Sequence, residues 1–471
     1  MARLERILVL GLGLSIACSK HKQRELGQEW PSYGGATEAQ RFTPLLAIDR
    51  ESVGRLHLAW SAKLDTDRSL VGRSRRFEAT PLAAAGRLYV TTPTNRVVAL
   101  DPASGKVLWR FDPAIDTLAR YTEGLTSRGL SFWRDSAAHD RCATRVIVAT
   151  LDSRLIALAA VDGRPCANFG DHGVVVVTSA RDRRADRLSG FVSITSPPTI
   201  VNDVIVVGSA LNKTNARVPG GRVTGFDARS GRRLWSYSPG LDARQLDPQS
   251  APVTSGVNVW SIITADAARD LVFLPTASAA PDHYGGGRRG TNAPANAVVA
   301  VRASTGVPVW SYQFVHHDLW DYDVAAPPVL ASIIHNAEKV DVVVVGTKSG
   351  MIFVLDRENG HPIFPISERA VPQSEAWNED ASLTQPFASS GGILLPTSLT
   401  IDSLFGVTAS DRAFCLSWFR QLRAAGLTIP KRGESATRTP GRRSGVESPS
   451  REGPAAKGVV TAEQRRTAAT E

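Results

Sequence analysis

At 471 residues, 42% of them hydrophobic, the chain is long enough for one large domain or two modest ones. Its 39 glycines and 28 prolines, with few leucine-rich helical patterns, favour many short strands joined by tight turns. Four of its ten net positive charges come from residues 431–471 and the others are scattered, so we predict no nucleic-acid partner.

The N-terminus has the pattern of an export signal. Arg3 and Arg6 precede an apolar run from Ile7 to Ala17, which is too short to span a bilayer. Cys18 follows, where a bacterial lipoprotein is cleaved and lipidated, although Ser15 stands where leucine is usual. We expect residues 1–18 to be a signal peptide, with plain secretion and a lipid anchor at Cys18 as alternatives. The mature chain would be periplasmic, or membrane-anchored and facing the periplasm.

Three cysteines remain after Cys18. Cys142 and Cys166 flank a predicted two-stranded unit, and an exported protein could bridge them. Two free buried thiols are the alternative. The third, Cys415, has no partner in this pattern, and the spacing of the cysteines fits no metal-ligand motif.

A repeat of strands and turns runs through the chain. Each copy has an apolar strand, a turn, a second apolar strand, a polar turn that ends in glycine, and a third strand with an aromatic residue. The glycines lie 54 to 75 residues apart, at Gly105, Gly163, Gly231, Gly306 and Gly360. The aromatic residues are Trp109, Phe169, Trp235, Trp310 and Phe364.

This repeat predicts an all-β fold, a β-propeller with about five recognisable blades. A ring of four-stranded blades leaves only short strand edges exposed. The three tryptophans each lie four residues after their glycine, where an indole can wedge between neighbouring sheets: Trp109, Trp235 and Trp310.

The sequences at the two ends of the repeat region bear on whether the ring of blades is closed. A half-repeat at Arg55–Trp60 lacks its preceding strands, and in propellers such a strand commonly completes the last blade. It predicts further blades, but none is obvious after the fifth. Beyond Pro430 there is no Leu, Ile, Met, Phe, Trp or Tyr, so we expect residues 431–471 to form a disordered basic tail.

The densest polar cluster of the chain is His316–Asp323, which follows a strand-like run. It contains three carboxylates, two imidazoles and two large aromatic side chains. Lys348 comes 27 residues after Asp321. Such a cluster is costly to bury without partners, so it indicates a cofactor, a metal or a charged substrate. A solvated turn is the alternative.

On these residues the chain resembles the pyrroloquinoline quinone-dependent dehydrogenases, and most of all their membrane-type glucose dehydrogenase branch. The resemblance covers residues 30 to about 430, and the run His316–Asp323 with Lys348 is its most specific part. Weaker motifs are Trp30–Gly35, Ser127–Gly129, Thr195–Pro198 and Val354–Arg357. It implies an eight-bladed propeller that holds the quinone on its axis, with Ca²⁺ beside it.

The resemblance also implies roles for five residues of this sequence. Asp321 would be the catalytic base, taking the hydroxyl proton of the substrate as hydride passes to the quinone, and it would bind the Ca²⁺. The Ca²⁺ would polarise a quinone carbonyl. Lys348 would hydrogen-bond the quinone oxygens and stabilise charge developing there. Arg128 would pair with a cofactor carboxylate, Trp260 would stack on the flat cofactor, and Thr195 would hydrogen-bond it.

The sequence departs from the family in four respects. Ala279–Pro281 stands where relatives have an Asn or Thr that helps to hold Ca²⁺, and Asn212–Lys213 is the nearest match to a metal-binding Glu. The adjacent cysteine pair of the methanol-oxidising branch is absent. The likeness stops at Pro430, where relatives continue, so we expect a truncated chain and an incomplete ring.

The function that this resemblance implies is a periplasmic quinoprotein dehydrogenase that oxidises a sugar or alcohol and passes electrons to a membrane quinone or cytochrome. Two alternatives stand beside it. One is a non-catalytic propeller lipoprotein, a scaffold of the outer-membrane assembly type. The other is an inactive truncated remnant of the dehydrogenase.

Overall fold

The computed structural model describes residues 29–64, 75–178, 192–213, 220–241, 256–389, 393–394 and 400–420. The chain divides into two units, residues 1–432 and 433–471, and every described residue belongs to the first. The predicted signal peptide, the lipid anchor at Cys18 and the basic tail at 431–471 all lie outside the described residues.

The described residues form 25 strands, numbered in chain order. Sixteen of these form four antiparallel sheets of four strands, blades 1 to 4. Blade 1 contains β2 (Leu82–Ala84), β3 (Arg87–Thr91), β4 (Val97–Leu100) and β5 (Val107–Phe111). Blade 2 contains β7 (Ser131–Arg134), β8 (Thr144–Ala149), β9 (Arg154–Ala159) and β10 (Val174–Val176). Blade 3 contains β12 (Thr199–Val201), β13 (Val204–Val207), β15 (Val223–Asp227) and β16 (Arg233–Tyr237). Blade 4 contains β17 (Thr264–Asp266), β18 (Leu271–Pro275), β19 (Ala297–Arg302) and β20 (Pro308–Gln313).

Blade 5 has three strands, β21 (Val329–His335), β22 (Glu338–Gly346) and β23 (Ile352–Asp356). Its fourth position holds only isolated backbone contacts, such as the hydrogen bond from Ile363 N to Val354 O at 2.9 Å. A separate hairpin follows, formed by β24 (Ile366–Ala370) and β25 (Thr384–Ala388). The five predicted repeats therefore correspond to four complete sheets and a smaller fifth one.

The remaining elements are short. Two strand pairs are β1 (Arg75–Phe77) with β6 (Leu125–Ser127), and β11 (Val192–Ser193) with β14 (Ala210–Leu211). Single-turn 3₁₀ helices lie at Val53–Arg55, Arg141–Ala143 and Ile401–Ser403. The helix α1 (Ala409–Phe419) begins at Thr408, whose side chain caps it by accepting from Asp411 N. In the part of the chain with described coordinates, no helix is both long and apolar enough to cross a bilayer.

The first strands of consecutive blades contact one another in order, from β2 to β7, β12, β17 and β21, so the sheets radiate from a common axis. The segment 30–38 crosses these inner strands and hydrogen-bonds four of the five blades. Trp30 pairs with Ala83 in blade 1, and Glu38 O accepts from Leu330 N in blade 5 at 3.0 Å. The five blades among the described residues do not close a ring.

A separate hydrophobic core fills each space between neighbouring blades. Middle strands have a sheet on either side, so β4, β13 and β18 are buried at every position. This double coverage explains why they read as continuous apolar runs rather than as alternating patterns.

The predicted tryptophan wedges are confirmed. Trp109 packs on Gly163, Trp235 on Gly306 and Trp310 on Gly360, each on the turn of the next blade. Each indole Nε1–H also donates to a backbone carbonyl of that blade, at 3.2, 2.8 and 3.2 Å, with Ala160 O, Ala303 O and Arg357 O as acceptors. The wedge therefore fixes both the spacing and the rotation of neighbouring sheets.

Blade 2 departs from the predicted pattern. Phe169 does not lie in a third strand but in the turn before β10, where it is fully buried. Two side chains, Phe169 in this turn and Val175 on β10, pack on the same glycine of blade 3, Gly231. The aromatic wedge is thus shared between a turn residue and a strand residue, because β10 begins later than the corresponding strands.

The half-repeat before blade 1 behaves as the outer part of a preceding blade. Residues 56–64 form no strand, but Trp60 packs on Gly105 and donates to Pro102 O at 3.0 Å, as the other wedges do. Ala62 and Leu64 join the apolar cluster on that face of blade 1. The sequence predicted a strand here that completes the last blade; residues 56–64 are not a strand, and Trp60 instead packs as a wedge on blade 1.

We expect Gly306→Ala to destabilise the protein strongly. Its φ is +72°, a conformation that costs a non-glycine residue about 1–2 kcal/mol. A Cβ there would lie 2.5 Å from Trp235 Cε3, and displacing a packed ring adds about 1–3 kcal/mol. Urea unfolding measures the sum.

Substitutions at two other glycines distinguish the cost of the backbone conformation from the cost of displacing the ring. Gly86 has φ +69° with no atom near its Cβ position, and Gly287 has neither feature. Gly86→Ala should show the backbone cost alone, and Gly287→Ala almost none. If Gly306→Ala cost no more than Gly86→Ala, the wedge would contribute nothing to stability.

Of the two alternatives for Cys142 and Cys166, a disulfide or two free thiols, the structure shows the disulfide. The Cα–Cα distance is 5.9 Å, and the disulfide links the segment just before β8 to the turn after β9. Cys415, on α1, is free.

Candidate functional site

The site lies at one end of the blades because of strand direction. In an antiparallel four-stranded blade, the connection from strand two to three and the connection to the next blade end on the same face. Arg128, Thr195, Trp260 and Asp321 lie in connections between blades, and Lys348 lies between β22 and β23. The five residues predicted from the sequence therefore belong to one face.

Two carboxylates occupy the centre of this face. Asp323 is buried, and its Oδ1 accepts from Ser278 N and from Ser278 Oγ, both at 2.6 Å. Its Oδ2 accepts from the Trp260 indole Nε1 at 3.0 Å. Asp321 is more open and has a φ of +61°, which turns its side chain back towards Ser278, with 3.1 Å between Oγ and Oδ1.

Two ammonium groups neutralise these carboxylates. Lys348 Nζ lies 2.5 Å from Asp321 O, 3.2 Å from Asp321 Oδ2 and 3.7 Å from Asp323 Oδ2. Lys213 Nζ lies 2.9 Å from Asp323 Oδ1, 3.3 Å from Asp321 Oδ1 and 2.9 Å from Ser278 Oγ. Each lysine thus contacts both carboxylates, one from each side.

The charges of the cluster support one another. Burial alone would raise the pKa of Asp323, but Lys213, Lys348 and Ser278 lower it to about 2. Burial also acts to lower the pKa of Lys213, but Asp323 and Asp321 outweigh it and raise that pKa. Both groups are therefore charged at neutral pH.

Arg128, Thr195 and Trp260 form a second group that joins the first through the indole. Arg128 Nη1 donates to Thr195 Oγ1 at 2.6 Å, and its Nε lies 3.0 Å from Glu78 Oε2. The guanidinium carbon is 4.9 Å from the centroid of the Trp260 ring. Thus the flat indole, a guanidinium and a hydroxyl adjoin the carboxylate pair.

The rest of the run His316–Asp323 shapes the turn. Asp318 is buried and accepts from Trp320 N at 2.9 Å, Tyr322 N at 2.7 Å and Asn296 Nδ2 at 2.8 Å. His317 Nδ1 lies 2.7 Å from Gly290 O. A solvated turn is therefore wrong for this segment, because Asp318 and Asp323 are both buried.

Asp318 predicts a measurable pH dependence. Burial raises its pKa to about 6, despite the three N–H donors. Between about pH 4 and pH 6 the folded state then binds more protons than the unfolded state, so rising pH lowers stability, by up to about 3 kcal/mol. We expect the difference in unfolding free energy, wild type minus Asp318→Asn, to fall across this range in urea titrations. A difference that stayed constant or rose would contradict this assignment.

Sequence reasoning did not assign Lys213, Asp323 or Ser278 to the site. In the sequence, Lys213 stands only at a departure from a metal-binding pattern, and Asp323 is only a member of the polar run. The available signal was charge balance, because two carboxylates in an apolar surrounding need more cation than one lysine supplies.

The donors around Asp321 do not match a resident Ca²⁺, which takes six to eight oxygen ligands. Asp282, His283 and Asp321 have ligand atoms within 4.8 Å of one another, but one of these is an imidazole. Both Asp321 carboxylate oxygens already lie within 3.3 Å of an ammonium nitrogen. Asp321 as a calcium ligand therefore stays a prediction, without support from this geometry.

Comparison with known proteins places the chain in a family. The family model described as "PQQ: Glucose/ethanol/alcohol dehydrogenase, beta-propeller domain" matches residues 30–470. The quinoprotein glucose dehydrogenase of Escherichia coli is 36% identical over 434 residues, which are 88% of this chain and 53% of that protein. The glycerol dehydrogenase large subunit of Gluconobacter oxydans is 31% identical over 416 residues, which are 85% and 55% of the two chains.

A solved structure agrees. A quinohemoprotein alcohol dehydrogenase from Pseudomonas putida superposes with a TM-score of 0.60 at 27% identity, covering 74% of this chain and 50% of that one. The fold and the buried ion cluster thus define a quinoprotein-type propeller. The chain belongs to the pyrroloquinoline quinone-dependent glucose/ethanol/alcohol dehydrogenase β-propeller family. It spans about half the length of the relatives it matches.

Proposed function

We propose that this chain is a quinoprotein dehydrogenase that oxidises a sugar or an alcohol, with pyrroloquinoline quinone as its cofactor. The observation that carries the proposal is the pair Asp321 and Lys348, joined at 3.2 Å beside a buried second carboxylate. A non-catalytic scaffold has no need of such a cluster, since ion pairs held out of water add little net stability.

The residues present fit the quinone. Trp260 offers a flat ring for stacking, Arg128 with Thr195 offers donors for a cofactor carboxylate, and Lys348 offers an ammonium for the quinone oxygens. The Lys348 side chain is one-third exposed and Arg128 is mostly buried, so a ligand can reach the ammonium while the guanidinium stays fixed. When bound, the quinone supplies the two-electron acceptor.

The protein's own residues would prepare the substrate. Asp321 takes the hydroxyl proton at a carboxylate oxygen, because it is the more open of the two central carboxylates. Ser278, Lys213 and Lys348 hold that carboxylate in place, and Asp323 holds the indole of Trp260 through its N–H. In the proposed reaction these residues act without a Ca²⁺, because the donors around Asp321 do not fit one.

The partners and the location belong to the same proposal. Electrons would leave to a membrane quinone or a cytochrome, and the protein would act in the periplasm. A relative from Acinetobacter baylyi, 31% identical, is named quinate/shikimate dehydrogenase (quinone), which supports a quinone as acceptor. The export signal predicted at residues 1–18, with Cys18 as a lipid anchor, would bring the chain to the membrane.

The test is cofactor binding followed by turnover. Purified protein is titrated with pyrroloquinoline quinone while tryptophan fluorescence and quinone absorbance are recorded, and dye reduction is then measured with aldoses and alcohols. We expect saturable binding, weakened in Trp260→Leu but not in the control variant Trp377→Leu, whose indole is exposed. Absence of binding would overturn the proposal. Binding without turnover on any substrate would identify an inactive remnant.

A further inference from the structure

Lys213 is the most unusual charged residue of the site. It is 8% exposed, and its ammonium lies among three oxygens within 3.3 Å, from Ser278, Asp321 and Asp323. A fourth oxygen, Asp282 Oδ2, lies at 4.0 Å. An ammonium surrounded by carboxylate and hydroxyl oxygens occupies the kind of position that a bound cation takes in an acidic site.

We infer that the Lys213 ammonium is the resident cation of the Asp321–Asp323 carboxylate pair and takes the place of a divalent metal ion. The position of the Lys213 ammonium is independent of the proposed function. Only the role of Lys213 in the reaction rests on that function.

Charge balance supports this inference. Asp321 and Asp323 contribute two negative charges, and Lys213 and Lys348 contribute two positive ones, so the central cluster is neutral without a metal. A divalent ion would add two positive charges to it. Asp282 is the one further carboxylate within 4.0 Å of Lys213 Nζ among the described residues, and it could offset only half of that charge.

Space leads to the same conclusion. A Ca²⁺ binds carboxylate oxygens at about 2.3–2.6 Å. Between Asp321 Oδ1 and Asp323 Oδ1 this place is already taken, because Lys213 Nζ lies 3.3 and 2.9 Å from them. An ion could enter only after this lysine had left, and removing a buried ammonium from two carboxylates is costly.

A tethered cation would have a functional consequence. It cannot be lost to a chelator, and it holds the carboxylate of Asp321 at a fixed orientation relative to Trp260 and Lys348. Lys213 is thus a positioning residue, whereas Asp321 contacts the substrate in the proposed reaction. The proposed activity should then require no added divalent metal.

The test uses Tb³⁺, a luminescent stand-in for Ca²⁺, on the full chain with no quinone present. Tryptophan excitation reports bound Tb³⁺ close to an indole, and Trp260 is hydrogen-bonded to Asp323. We expect wild type to give no saturable emission up to about 1 mM, the weak end of the range for Ca²⁺ sites. Lys213→Glu should gain a saturable Tb³⁺ signal, because it removes the ammonium and adds a third carboxylate. Ca²⁺ should compete with the Tb³⁺, since glutamate plus Ca²⁺ restores the single positive charge of the lysine.

The outcomes separate clearly. Saturable emission from wild type that Asp321→Asn abolishes would overturn the inference. Emission that survives Asp321→Asn but is lost in Asp282→Asn would place the ion outside the carboxylate pair, as the inference requires. The wild-type arm decides the question even if Lys213→Glu fails to fold. Since no quinone enters the titration, a failure of quinone binding leaves this result intact, and the reverse also holds.

Discussion

Asp321→Asn is expected to lower turnover about 10²–10⁴-fold while quinone binding stays close to that of wild type. A positioned general base contributes about this factor, and asparagine cannot accept the substrate proton. Asparagine is also the least disturbing replacement at this position. It tolerates the left-handed backbone that Asp321 adopts, with φ +61°, and it keeps an oxygen for Ser278 and Lys213.

The measurement is kcat with a dye acceptor, beside a quinone titration on the same preparation. Asp282→Asn serves as a matched control, because that carboxylate lies at the edge of the cluster, 4.0 Å from Lys213 Nζ. It should retain most of the activity. If Asp321→Asn kept wild-type turnover, the base would have to be another residue.

Lys213→Met is expected to cost about 3–5 kcal/mol of unfolding free energy. Methionine keeps the apolar length of the side chain but removes the ammonium, which leaves a buried carboxylate without its nearest counter-charge. Lys348 remains, but it lies 3.7 Å from Asp323. The loss should therefore lie towards the lower end of this range.

Urea unfolding at pH 7 measures the change, and Lys339→Met, at an exposed strand position, is the control. That variant should stay within about 0.5 kcal/mol of wild type. The double variant Lys213→Met with Asp323→Asn should recover part of the loss, since the uncompensated charge is gone. Equal stabilities of Lys213→Met and wild type would show that the ammonium does not balance the pair.

Much of the fold could be predicted because it is repeated. The spacing of four residues from glycine to aromatic residue recurs in four of the five blades. A wedge needs only the local turn of one blade and the glycine of the next. Trp109, Trp235 and Trp310 follow this rule, and Trp60 follows it without belonging to a strand. The prediction of a strand at Phe169 is wrong, because the length of the turn before β10 depends on packing against blade 3, which a single repeat does not reveal.

The site could be predicted only in part. Asp321 and Lys348 carry a specific spacing, and strand direction alone brings their connections to one face. Lys213, Ser278 and Asp323 come from three separate connections and share no motif. Whether these three side chains contact one another depends on how far each connection extends towards the axis.

The sequence by itself determined the propeller repeats, the wedges and the choice of Asp321 and Lys348, because each of these rests on spacing within one or two neighbouring blades. Only the tertiary structure decided which cation faces the carboxylates. The connections that carry Lys213, Ser278 and Asp323 meet in a small space beside the axis. Because Asp323 is buried there, a positively charged group next to it is favoured. That group is the ammonium of Lys213.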